Sequence, residues 1–101
     1  MGGSCCLLNV IAMESIIRIG MAAMGGLHRW GYHPTGVCAY FSGALAAGRL
    51  LGLDVKELAS TRAFAGSTAA ASMEFAEEGG WNKRLHPSWG GAAGITAAYL
   101  A

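Results

Sequence analysis

The chain has 101 residues, 53% hydrophobic and only 13% charged, with seven Lys/Arg against six Asp/Glu and a net charge of +1. Soluble domains carry about 25% charged residues, so one modest core is expected with too little polar surface around it. That pattern fits either a membrane protein or a piece of a larger helical body, and it leaves no basic stripe for nucleic acid.

Residues 5–24 read as a helix. Leu7, Val10, Ile11, Ile17 and Met21 are placed to share one broad apolar face. Glu14 and Arg18 stand four apart in the order that favours an ion pair. They also interrupt the run of about 20 apolar residues that a membrane span needs. Arg49 interrupts the second apolar run in the same way, so no membrane span is expected. No basic segment precedes the first run, so no signal peptide is expected either. Gly25-Gly26 is the expected helix stop.

Residues 27–36 read as a loop holding the polar island Trp30-Gly31-Tyr32-His33-Pro34-Thr35-Gly36. Pro34 pushes His33 into an extended conformation, and Thr35 is the expected cap of a second helix over 36–51. That helix is rich in Gly and Ala, which suits a close helix neighbour. Gly52-Leu53 reads as a glycine stop with its hydrophobic contact. Asp54 and Glu57 form a capping box for a third helix to about residue 65, with Gly66-Ser67 as a bend or break. A fourth segment over 68–78 carries Met73, Phe75 and three glutamates; Glu77 or Glu78 is a candidate partner for Lys83 or Arg84. A loop, Asn82-Lys83-Arg84-Leu85-His86-Pro87, then leads to a last helix capped by Ser88 and running to residue 101. The fold class is therefore all-α, an array of four to five helices.

Cys5, Cys6 and Cys38 lack any framework or zinc spacing. They read as reduced, buried small hydrophobes in a cytoplasmic protein. No metal and no cofactor is expected.

His33, Lys83, Arg84 and His86 form the candidate site, a set suited to an anionic substrate. Each has a plainer reading. His33 can serve only to bond a helix end, or it can transfer protons, since histidine titrates near neutral pH. Lys83 and Arg84 can be a solvated pair, or Lys83 can meet a carboxylate as a point charge. His86 precedes Pro87 as His33 precedes Pro34, and can line the site or hold the Lys83 segment.

Four blocks, in order, resemble the MmgE/PrpD family, which includes 2-methylcitrate dehydratase and cis-aconitate decarboxylase. They are Tyr32-His33-Pro34-Thr35-Gly36-Val37-Cys38, Ala46-Ala47-Gly48-Arg49-Leu50-Leu51-Gly52-Leu53-Asp54, Met73-Glu74-Phe75 and Lys83-Arg84-Leu85-His86-Pro87. Asn82, in place of the usual threonine or serine, and Ser88, in place of glycine, are modest departures. The resemblance implies a lyase that dehydrates or decarboxylates small di- or tricarboxylic acids without a metal, often as a homodimer. It implies His33 and Lys83 as catalytic residues and Lys83 and His86 as substrate-binding residues, and Arg84, from the same charged stretch, is a further substrate-binding candidate. It also implies that residues 1–101 are part of the large helical domain, without its upstream helices or the α/β lid domain, and inactive alone. The competing expectation is a non-catalytic helical module for oligomerisation.

Overall fold

The computed structural model describes residues 2–74, 76 and 79–101. Among them the chain forms five helices and no strand: α1 (Gly2–Ala22), α2 (Gly26–Arg29), α3 (Pro34–Leu50), α4 (Val55–Thr68) and α5 (Asn82–Leu100). The all-α array is as expected. Helix α3 is its centre, packing against α1, α4 and α5, and α4 also touches α5.

Close backbone approach, rather than large side chains, holds α3 to α5. A β-carbon on Gly94 would lie 2.5 Å from both the Ala44 nitrogen and the Tyr40 carbonyl oxygen. One on Gly90 would meet the Ala39 β-carbon at 2.9 Å, and one on Gly43 the Gly91 carbonyl oxygen at 2.8 Å. Such contact lets many backbone atoms share dispersion at optimal distance. The core cluster is correspondingly small-residued: Tyr40, Ala44, Ala65 and Ala97, with Phe41, Ala69 and Ala93 packed on it.

Helix ends follow local chemistry. After α3, Gly52 takes φ +75, the Leu53 N–H donates to the Gly48 carbonyl (3.0 Å) and the Gly52 N–H to that of Arg49 (3.2 Å). This is the complete Schellman arrangement. The capping box of α4 is present, with the Glu57 N–H donating to Asp54 and the Asp54 N–H to the Glu57 carboxylate.

Several expectations need correction. The expected loop over 27–36 contains the short helix α2. Gly66-Ser67 does not break α4, which continues to Thr68 with the Ser67 hydroxyl bonded to the Ala63 carbonyl. Residues 69–72 are not helical: Ser72 makes an antiparallel bridge with Tyr32, and Ala71 has φ +140. Phe75, Glu77 and Glu78, with their expected pairings, lie outside the described residues. The Lys83 segment is the first turn of α5 rather than a loop, and Ser88 lies inside that helix rather than capping it. Pro87 removes one backbone donor early in α5. The docking of Gly90 and Gly94 on α3 overrides that local cost.

The face of α1 is also shifted. Leu8, Ile11, Ala12, Ser15, Ile19 and Gly20 are partly buried, while Leu7, Val10, Ile17 and Met21 form an exposed stripe. The Glu14–Arg18 ion pair is present at 2.7 Å on the outside. Among the described residues α1 is the one helix long and apolar enough to cross a membrane, with this pair at its middle. Cys38 is buried, and burial pushes its thiol pKa up, but Cys5 and Cys6 are exposed on the first turns of α1 rather than buried.

Candidate functional site

The site begins where the chain enters α3. His33 is the N-cap residue, extended at φ −80 and ψ 108, with Pro34 as the first helical residue. The proline dictates both features: it biases its predecessor away from the helical region and suits position N1. His33, not Thr35, therefore occupies the cap, and its side chain makes no cap bond.

A neighbouring segment secures this turn. The His33 N–H donates to the Ala71 carbonyl and the Met73 N–H to the Gly31 carbonyl, both at 2.8 Å. These bonds flank the Tyr32–Ser72 bridge. The imidazole of His33 is thereby held inside, with 7% of the residue exposed.

His86, in the second turn of α5, meets it. The two Nδ1 atoms are 3.3 Å apart, with ring centres 5.5 Å apart and planes tilted by 40°. Nitrogen faces nitrogen, so one ring donates and the other accepts. Gly36 makes the approach possible, since a β-carbon there would lie 2.8 Å from that of His86 and 2.6 Å from that of Ala71. Burial lowers the His33 pKa, and the nearby His86 and Lys83 lower it further. His33 is thus held as a neutral imidazole near neutral pH.

His86 also lines an open cleft of about 370 Å³ with Tyr40, Ala70, Ala71, Ser72, Leu85 and Trp89. Lys83 lies three residues before His86, on the same side of α5. Its side chain is exposed, and its charge helps to lower the His33 pKa. Arg84 turns elsewhere. Its guanidinium carbon sits 4.4 Å from the centre of the Trp81 ring, and with Lys83 it borders a shallow depression at Gly79-Gly80. The structure therefore brings His33 and His86 into contact, places Lys83 one turn before His86 on α5 and directs Arg84 onto Trp81. Among the described residues no three metal-binding side chains converge.

The sequence matches the MmgE/PrpD N-terminal domain over residues 7–101. The chain belongs to the MmgE/PrpD family. No curated protein and no solved structure matches it. In this MmgE/PrpD chain all four candidate residues lie within the matched stretch.

Sequence reasoning missed three contributors. Ala71 supplies the carbonyl that secures His33, and Tyr40 and Trp89 form cleft walls. Ala71 sits in a run of small residues that reads as helix and carries no local mark of its role. Tyr40 and Trp89 read as ordinary helical aromatics until α3 and α5 are docked.

Proposed function

We propose that this chain forms one wall of a lyase site for small di- and tricarboxylic acids, acting in the loss of water or carbon dioxide. The observation that carries the reading is the buried His33 in nitrogen-to-nitrogen contact with His86, with the Lys83 charge close by. A neutral imidazole near pH 7 is suited to taking a proton from carbon or handing one to a leaving hydroxyl. The lysine cation offsets the carboxylate charge and the negative charge that grows in the transition state. His33 is assigned proton transfer, Lys83 carboxylate binding and His86 one flank of the bound acid, while Arg84 is left stacked on Trp81. No step is assigned to a metal or a cofactor.

The exposed stripe of α1 and exposed Trp30, Trp81 and Trp89 favour further polypeptide over these faces. We therefore place the chain in a homodimer or against a complementary domain, in the cytoplasm, with full turnover depending on groups beyond those described.

Calorimetric titration of the chain with citrate tests the reading. Binding that is lost in Lys83→Ala supports it, and citrate binding of equal strength in the variant refutes it. A second reading is a helical assembly module without chemistry, favoured by the glycine-lined α3–α5 contact and the exposed apolar residues. It predicts a defined oligomer indifferent to Lys83→Ala.

A further inference from the structure

We propose that His33 and His86 form a proton relay, in which His86 carries protons between the buried His33 ring and the open cleft. The two rings differ in access. His33 is enclosed by its own turn, Ala71 and α5, whereas His86 is partly exposed and lines the cleft with Tyr40, Ser72 and Trp89. Their contact joins Nδ1 to Nδ1 at 3.3 Å, at the long end of N–H···N hydrogen bonds.

That geometry constrains the protons. A neutral imidazole carries one N–H, on either Nδ1 or Nε2. If both rings kept the proton on Nε2, two lone pairs would face each other. If both kept it on Nδ1, two hydrogens would collide. The neutral pair therefore holds one proton between the Nδ1 atoms, and the rings are opposite tautomers. One presents a bare Nε2 and is a base, while the other presents Nε2–H and is an acid.

The transfer balances without any further reactant. A proton arriving at the bare Nε2 makes that ring an imidazolium. Its Nδ1–H bond breaks, and the proton forms an N–H bond to the facing Nδ1. The second ring is then the imidazolium and releases a proton from its Nε2. One proton enters at one ring, one leaves at the other, and the pair ends with its tautomers exchanged. Burial and the Lys83 charge disfavour holding the extra proton on His33, which favours passing it on.

The inference rests on the lyase reading only for the use made of the proton, because the relay is a property of the chain without substrate. Long-range 1H–15N correlation spectra of the labelled full chain near pH 7 read the ring nitrogens directly. The expected result is one ring protonated at Nδ1 and the other at Nε2. Two rings of the same tautomer would overturn the relay. The second arm is proton exchange between the His33 ring and water in His86→Gln, a side chain that hydrogen-bonds but does not pass protons through two nitrogens. Exchange at least about tenfold slower than in the parent chain is expected, and an unchanged or faster rate overturns the proposal. Citrate titration bears separately on the lyase reading, so either idea can fail alone.

Discussion

Gly36 has its α-carbon against His86: a β-carbon at position 36 would stand 2.8 Å from the His86 β-carbon, closer than real side chains pack. The same position would place it 2.6 Å from the Ala71 β-carbon. One glycine on the first turn of α3 thus admits both segments that enclose His33.

Gly36→Ala is therefore expected to push α5 and the Ala71 segment away from α3. Overpacking of this kind costs about 1–3 kcal/mol. The check is twofold: a lower midpoint in urea unfolding, and loss of the opposite-tautomer signature of His33 and His86 in ring-nitrogen spectra.

Along the same interface, Gly94→Ala and Gly91→Ala should differ in sign. At Gly94 the new methyl meets backbone atoms of Tyr40 and Ala44, which yield only if the helices part. A loss of about 1–3 kcal/mol is expected. A β-carbon on Gly91 has nothing within 4 Å, so the alanine should gain up to about 0.5–1 kcal/mol of helix preference. Thermal melts followed by circular dichroism separate the two.

Stability should fall on mild acidification. The His33 pKa in the folded chain lies below its ordinary value of 6.5 through burial, then through His86 and Lys83. As pH drops below about 6.5, the unfolded chain takes up this proton first, so folding loses stability until His33 is protonated in both states. Above that pH the contribution is flat. Urea unfolding across pH 5–8 should show this slope in the parent chain and a reduced one in His33→Gln.

Arg84 and Trp81 should be coupled to each other. Their cation–π contact lies on an exposed surface, where such pairs are worth about 0.5–1 kcal/mol. A double-mutant cycle of Arg84→Ala and Trp81→Ala should return a coupling in that range. A coupling of zero would return Arg84 to its sequence-level role as a freely available substrate ligand.

Much of the fold was legible because local chemistry was strong. The Asp54–Glu57 box, the Gly52 stop, the Glu14–Arg18 pair and the extended His33 before Pro34 all appear as expected. The misreadings arose where tertiary contact overrides local preference. Pro87 suggested a loop, yet α5 runs through it because Gly90 and Gly94 dock on α3. Residues 69–72 have helical composition, yet they pair with the turn before His33. On α1 two apolar stripes lie side by side, and periodicity cannot say which one meets α3. Within the site, the two histidines were legible as residues, but their contact depends on Gly36 and Ala71, which no local spacing reveals. Exposed Cys5 and Cys6 were misjudged because cysteine is so often buried.

The most direct test of the central claim is a thermal melt of the chain with and without citrate, repeated for Lys83→Ala. The account predicts that citrate raises the melting temperature of the parent chain and that Lys83→Ala abolishes the rise, as expected for a ligand that binds only the folded state. An unchanged melting temperature in the parent chain, or the same rise in the variant, would contradict a carboxylate site built on His33 and Lys83.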